Sequence, residues 1–289
     1  MLTLETLAAL REQRNTWDRE GLFVALIPTM GNLHAGHLRL VQEAKTLADR
    51  VVVSSFVNPA QFGPGEDYTA YPRTPEEDGH LLHEAGADAL FRPDAAEMYP
   101  ADPATMTFVE VPELSGELCG HFRPGHFRGV ATVVCKLLHL VQPHVAVFGE
   151  KDYQQLLVIR HLVADLNIPT RIVGIPTVRE ADGLALSSRN AYLAAEERAK
   201  APFLFHLLNE TAAVIRRGGR NFAALELEQT ERLRLAGWRP DYFAIRRQAD
   251  LKPATAEETA LVVLAAAWLG RARLIDNFGF DVTPSGRAD

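Results

Sequence analysis

Cysteine is almost missing from this sequence: Cys119 and Cys135 are the only two in 289 residues. No metal-ligand or redox spacing joins them, and a chain of this size does not depend on a disulfide scaffold. A reducing cytoplasm is therefore the expected setting. Long apolar runs are missing too. The longest, Ala260–Leu269, is far too short to span a bilayer. Met1-Leu2-Thr3-Leu4-Glu5 has no basic segment leading into an apolar run, so no secretory signal is expected. Positive charge is in deficit: 30 Lys and Arg against 37 Asp and Glu give a net charge of −7. That disfavours a broad nucleic-acid surface, and a cationic pocket in such a chain would suit a small anionic ligand. Neither Gly-x-x-x-x-Gly-Lys-Ser/Thr nor Gly-x-Gly-x-x-Gly occurs, which argues against P-loop phosphoryl transfer and hydride chemistry.

What is present is an ordinary globular balance, 47% hydrophobic and 23% charged, with length enough for about two domains. Residues 22–28 form a near-continuous apolar run, as in a strand buried on both faces. A glycine-containing turn follows, then helical spacing over 37–48 and a β-branched strand over 51–57. Thr74-Pro75-Glu76-Glu77 predicts a helix start with a capping box, running to about Ala85, and a strand follows at Ala89–Phe91. Helix 129–141, strand 144–148, helix 153–166 and strand 170–178 continue the alternation. The expectation is an α/β fold, a Rossmann-like doubly wound parallel sheet over 1–178. After Val178 the texture changes to helices at 194–217 and 222–236 and strands at 242–246 and 260–269. These predict a smaller C-terminal α+β domain over 179–289.

The most informative segment is Pro28-Thr29-Met30-Gly31-Asn32-Leu33-His34-Ala35-Gly36-His37. It lies where the first of these strands hands over to a helix, at the carboxyl edge where ligands of parallel sheets collect. Helix N-termini bind phosphate through unpaired N–H groups, and Gly31 and Gly36 let backbone come close. His34 and His37, three residues apart, can donate from the helix start. A lone histidine in a glycine turn is usually structural; His-Ala-Gly-His at this junction is a stronger signal. It resembles the His-x-Gly-His signature of the nucleotidyltransferase superfamily, whose members bind ATP there and cleave between its α- and β-phosphates.

Four further segments narrow the resemblance. Ser54-Ser55-Phe56-Val57-Asn58-Pro59-Ala60-Gln61-Phe62 carries two amides off a strand end. Gly120-His121-Phe122-Arg123-Pro124-Gly125-His126-Phe127-Arg128-Gly129-Val130 is a basic loop entering a helix. Phe148-Gly149-Glu150-Lys151-Asp152-Tyr153-Gln154-Gln155 is another strand-to-helix junction, and Leu186-Ser187-Ser188-Arg189-Asn190 lies past the expected boundary. Alone, Asn58-Pro59 is a turn former, Lys151 a solvated lysine and Ser187-Ser188 a linker. Together, over 28–201 and again over 265–277, they resemble the pantothenate synthetase (pantoate–β-alanine ligase) family.

That resemblance implies a reaction and a site. ATP and (R)-pantoate would give a pantoyl adenylate and pyrophosphate, and β-alanine would then displace AMP. Met30, Gly31, Asn32, Leu33, His34, Ala35, Gly36 and His37 would hold ATP, with His37 the proton donor. Gly149, Glu150, Lys151, Asp152, Val178, Leu186, Ser187, Ser188 and Arg189 would also contact ATP. Lys151, Arg189 and the two histidines would act in catalysis. Gln61 and Gln155 would bind pantoate, Gln61 also β-alanine, while Pro28, Met30 and Phe62 would face pantoate's methyls. Mg²⁺ would arrive with ATP; the family's acidic candidates fall on Glu76, Glu77 and Asp78, and no protein metal ligand is assigned. A cytoplasmic homodimer with no nucleic-acid or membrane partner is expected. A cofactor adenylyltransferase, an aminoacyl-tRNA synthetase and a nucleotide-sensing module without turnover are the competing readings.

Overall fold

The computed structural model describes residues 1–100 and 105–282. They form two compact units, Met1–Glu150 with Gln155–Thr177 and Lys151–Gln154 with Val178–Asp289.

The first unit is a six-stranded sheet of β1 (Leu2–Leu4), β2 (Val24–Thr29), β3 (Arg50–Ser55), β4 (Ala89–Phe91), β5 (Val145–Gly149) and β6 (Arg171–Ile175). Their order is β1-β4-β3-β2-β5-β6 and every pairing is parallel. This is the expected doubly wound α/β sheet, with the order reversing at β2. Val24, Ala25, Leu26 and Ile27 are fully buried, which is why β2 reads as an unbroken apolar run. On one face Ala25, Ile27, Val51, Val53 and Val147 pack with Leu40, Val41 and Ala44 of the helix Ala35–Leu47. Each buried Leu, Ile or Val of this kind contributes about 1.5–3 kcal/mol.

Two elements were not expected. β1 is only three residues long. The helix Leu7–Arg19, capped by Thr6 Oγ1 on Ala9 N at 3.1 Å, carries Arg14 among its buried positions. The Arg14 guanidinium donates to Val141 O at 2.9 Å and Gln142 O at 3.3 Å, so it closes the carboxyl end of the helix His126–Val141.

The second unit is an antiparallel sheet of β7 (Arg239–Arg247), β8 (Ala260–Leu269) and β9 (Ala272–Asp281). Alternate β8 residues, Leu261, Val263, Ala265 and Ala267, join a core with Leu204, Leu207, Leu208 and Ile215 of the helix Phe203–Arg216. The helix expected over 194–217 is two, Ala195–Lys200 and Phe203–Arg216. Pro202 separates them, because its ring excludes the preceding turn's carbonyl and it has no N–H to donate.

The capping box expected at Thr74 does not form. The helix Pro75–Ala85 starts as predicted, but Thr74 makes no cap bond to it; Thr74 Oγ1 donates to Asp78 Oδ1 at 3.1 Å. Asp78 engages the loop after β2, and this decides where the hydroxyl goes.

Candidate active site

At the end of β2, Thr29 Oγ1 donates to Ser54 O at 2.7 Å and accepts from Gly31 N at 3.2 Å. Gly31 and Asn32 then both take positive φ, 79° and 52°. A Cβ on Gly31 would meet Ser55 Oγ at 2.8 Å and Asp78 Oδ2 at 2.9 Å, so only glycine fits. Asp78, 2% exposed, accepts from Asn32 N at 2.9 Å and from Leu33 N at 2.8 Å. Leu33 anchors the loop by its side chain in the sheet core. Met30–Leu33 is thus shaped by a carboxylate that lies 45 residues further along the chain.

His34 is the N-cap of the helix Ala35–Leu47, and the two histidines cap reciprocally. His34 Nδ1 accepts from Gly36 N at 3.1 Å, and His37 Nδ1 accepts from His34 N at 3.3 Å. The rings lie 4.1 Å apart, tilted by 35°. A neutral imidazole that accepts at Nδ1 carries its proton on Nε2, so both rings are Nε2–H donors at a helix N-terminus. With Ala35 and Gly36 forming the first turn, both rings lie at the positive end of the helix dipole.

Gln61 closes a 3-10 turn, Pro59–Gln61, capped by Asn58 Oδ1 on Ala60 N at 3.2 Å. Asn58 Nδ2 donates to Gln61 Oε1 at 3.0 Å and to Gly129 O at 3.1 Å, and Gln61 Nε2 lies 3.1 Å from Met30 Sδ. The structure therefore brings Gln61 to Met30. Tyr99 Oη donates to Asn58 Oδ1 at 2.8 Å, and burial pushes that phenol well above its ordinary range. A Cβ on Gly129 would meet Ala60 O at 2.1 Å, so the helix His126–Val141 can seat against this turn only at a glycine. Phe62 packs against the rings of Tyr68 and Tyr71, and Pro28 pairs with Ser54 within the sheet.

The basic loop supports the same turn from the other side. His126 Nδ1 donates to Gln61 O at 2.8 Å, and its Nε2 accepts from Arg123 at 3.1 Å. Arg123 also forks onto Glu66 at 2.8 and 2.6 Å. Burial pushes the Glu66 carboxyl up, but the hydrogen bonds and charge of Arg123 outweigh it and hold it below its ordinary value. A cavity of about 460 Å³, lined by Gln61, Phe62, Tyr99, Phe108, His126 and Arg128 among others, opens beside the turn. Gly149 ends β5 and Glu150 lies against Gly174. Gln155 sits half-exposed in the helix Tyr153–Asp165, and no hydrogen bond links it with Gln61 among the described residues.

The remaining predicted residues, Lys151, Asp152, Val178, Leu186, Ser187, Ser188 and Arg189, belong to the second unit. Val178 and Leu186 meet: Leu186 N donates to Val178 O at 3.0 Å across a tight turn at Asp182-Gly183. That turn is pinned, by Arg198 on Asp182 at 2.6 Å and by Arg179 on Gly183 O at 3.0 Å. Ser187 Oγ accepts from Arg189 N at 3.3 Å and starts the 3-10 turn Ser188–Tyr192. Lys151 lies 3.8 Å from the Asp152 carboxylate and shares a narrow crevice with Ser187, Asn190 and Asp276.

Reasoning from sequence missed Asp78 as the loop's anchor and Asn58 as Gln61's partner. Asn58 left a signal in Asn-Pro-x-Gln, where an amide three residues before another can meet it across a turn. Asp78 left none, since its contact is tertiary. Glu76 and Glu77 are exposed, and each Asp78 oxygen already accepts a backbone N–H. Among the described residues no three His, Cys, Asp or Glu side chains group as a metal-ligand set.

A parallel sheet with a histidine-capped loop at its carboxyl edge, beside a buried amide, is the architecture of α/β proteins that hold small ligands at the strand ends. The sequence profile of the pantoate-beta-alanine ligase family matches residues 2–279, and the chain belongs to that family. Its relatives include a pantothenate synthetase of Methylococcus capsulatus, 59% identical over 90% of this chain and 91% of that one. Another, from Azotobacter vinelandii, is 54% identical over 98% and 100%. A crystal structure of pantothenate synthetase from Thermus thermophilus superposes with a TM-score of 0.89 at 48% identity, covering 96% of this chain and 99% of that one. The Francisella tularensis ligase, solved with β,γ-ATP and β-alanine, gives 0.78 at 33% identity, covering 96% and 97%. The family joins pantoate to β-alanine, so the chain is an acid–amino-acid ligase.

Proposed function

We propose that this ligase makes pantothenate from (R)-pantoate and β-alanine through a pantoyl adenylate, with MgATP as co-substrate. The observation that carries the reading is the reciprocal His34–His37 cap, which fixes the proton of each neutral ring on Nε2 at a helix N-terminus. Met30–His37, with Gly149 and Glu150, hold ATP, and Lys151, Asp152, Val178, Leu186, Ser187, Ser188 and Arg189 also contact it. Mg²⁺ enters bound to the phosphates and keeps much of its water.

Pantoate's carboxylate is ionised at neutral pH and needs no general base. One carboxylate oxygen bonds to the α-phosphorus as the bond from that phosphorus to the β-phosphate's bridging oxygen breaks, and pyrophosphate leaves. Lys151 and Arg189 offset the charge that builds on the α-phosphate, and His37 gives a hydrogen bond from Nε2 to the transferring phosphates. Gln61, steadied by Asn58, orients pantoate's hydroxyls together with Gln155. The unprotonated amine of β-alanine then attacks the acyl carbon, the bond to AMP breaks, and the nitrogen gives up a proton. Exclusion of water from the site protects the mixed anhydride until the amine arrives. We place the enzyme in the cytoplasm as a homodimer, a reading that follows its family resemblance and low cysteine content.

The test is incubation with ATP, Mg²⁺ and pantoate, followed by mass spectrometry with and without β-alanine. Pyrophosphate and pantoyl adenylate without β-alanine, and AMP and pantothenate with it, are expected. Stoichiometric ADP and phosphate overturn the adenylate route.

A further inference from the structure

In the middle of β9 stand two consecutive buried polar residues, Asp276 and Asn277, 5% and 8% exposed. An amide or carboxylate inside a sheet is unfavourable unless paired, so each position calls for a partner. Asp276 has Arg179, whose two terminal nitrogens lie 2.7 and 2.9 Å from its two oxygens, with the guanidinium 3.5 Å from the Phe205 ring centre. Asn277 Nδ2 donates to Lys151 O at 2.9 Å, across 126 residues of sequence.

Lys151 opens the four-residue stretch Lys151–Gln154, which leaves the first unit after Glu150 and returns to it at Gln155. A second bond fastens the stretch: Tyr153 Oη donates to Gln248 O at 2.9 Å. Gln248 is itself tied to the sheet, through Nε2 to Leu261 O at 2.9 Å and Phe280 O at 3.2 Å. These bonds fix the main chain from which the Lys151 side chain grows. Lys151 lines the crevice shared with Ser187, and its ammonium lies 3.8 Å from the Asp152 carboxylate.

We propose that Asn277 is a positioning residue for adenylate formation. It anchors the Lys151 carbonyl to the C-terminal sheet, so that Lys151 and the Ser187–Arg189 segment meet the nucleotide as parts of one body. The proposal rests on the reading of Lys151 as the cation of the transfer step. A flexible four-carbon side chain holds its charge in place only if its root is held, and a misplacement of about 1 Å in a reacting constellation costs about 10²-fold in rate.

The experiment is a double-mutant cycle on single-turnover adenylate formation, with ATP affinity and the thermal midpoint measured beside it. Asn277→Leu keeps the volume and loses the donor. Asn277→Asp keeps the shape, also loses the donor, and serves if the leucine variant does not fold. Either should slow adenylation by about 10–100-fold, with ATP affinity changed by less than about threefold. Combined with Lys151→Ala, either should slow the reaction no further than Lys151→Ala alone. Wild-type rates in the Asn277 variants beside a slow Lys151→Ala overturn this proposal and leave the reading of Lys151 intact. A slow Asn277 variant whose effect adds fully to that of Lys151→Ala overturns it too, since the role is then structural. Lys151→Ala at the wild-type rate removes the reading of Lys151, and this proposal with it.

Discussion

Asp78→Ala tests whether a single carboxylate shapes the nucleotide loop. In the wild type its two oxygens accept from Asn32 N at 2.9 Å, Leu33 N at 2.8 Å and Thr74 Oγ1 at 3.1 Å, within a site almost closed to water. Bonds to a charged acceptor contribute about 1.5–3 kcal/mol each, and a buried donor left unpaired costs about 1–3 kcal/mol. Two stranded N–H groups therefore give a loss of about 2–6 kcal/mol. Part of it is recovered if the loop relaxes, because Gly31 and Asn32 already hold positive φ and can move to commoner backbone conformations. That relaxation displaces Met30 and the His34 cap, so ATP affinity falls. Gln61 keeps Asn58 and His126, so pantoate affinity falls less. Asp78→Asn should rescue poorly, because its amide presents a donor where one of the two N–H groups needs an acceptor. Titrations with ATP and with pantoate, beside chemical denaturation, read all three quantities. An Asp78→Ala protein that loses stability but binds ATP with wild-type affinity would refute the reasoning.

Gln61→Ala leaves the Asn58 amide without its Oε1 acceptor and should weaken pantoate binding by about 1–3 kcal/mol with little change for ATP, as calorimetry can read; equal losses for both ligands count against the assignment. Lys151→Ala should slow adenylate formation about 10²–10³-fold, about 3–4 kcal/mol, with a smaller effect on ATP binding, and Lys151→Arg should restore little; a single-turnover rate within about threefold of wild type excludes the role. Glu66→Gln tests the brace on the Gln61 turn. The Glu66 carboxyl is held below its ordinary value in the folded chain, so it stabilises above the unfolded value and loses that contribution as pH falls through the folded one. The stability gap between wild type and Glu66→Gln should be open at neutral pH and close below about pH 4 in denaturation series; a gap independent of pH denies the ion pair.

The parallel sheet was legible because its strands are buried on both faces and its helices begin where the apolar period changes. Ala89–Phe91 was found despite its three residues, since a helix and a glycine frame it. The helix Leu7–Arg19 was not legible, because Arg14 occupies a buried position and breaks the apolar stripe, and only the carbonyls of Val141 and Gln142 explain why it can. The break at Pro202 is legible in the sequence, since proline ends a helix, although the alanine-rich run around it reads as continuous. In the site, residues that act through local geometry could be found: His34, Gly36 and His37 lie within one turn, and Asn58 and Gln61 within another. Asp78 and Asn277 act through bonds to residues 45 and 126 positions away, and no pattern of spacing encodes such pairs. For the same reason the membership of Lys151–Gln154 in the second unit was invisible, since bonds to Gln248 and from Asn277 create it.

The histidine pair explains how the loop folds and, on the proposed reading, how it meets phosphate, with one set of atoms. A capping box needs two side-chain acceptors three residues apart, a task that serine and glutamate often fill. Here both acceptors are Nδ1 atoms, and accepting there fixes the proton of each neutral ring on Nε2. The donor tautomer is therefore a by-product of the helix start. A ring protonated on both nitrogens cannot accept a backbone N–H, so converting either histidine to a cation breaks the cap that places it. The loop is thus suited to giving neutral hydrogen bonds, reinforced by the partial charge of the helix N-terminus. On the proposed reading, full positive charge must then come from elsewhere, from Lys151, Arg189 and the magnesium carried by ATP. A division of this kind lets the loop recognise phosphate in both ground and transition states, while the lysine and arginine act on the charge that develops only during transfer.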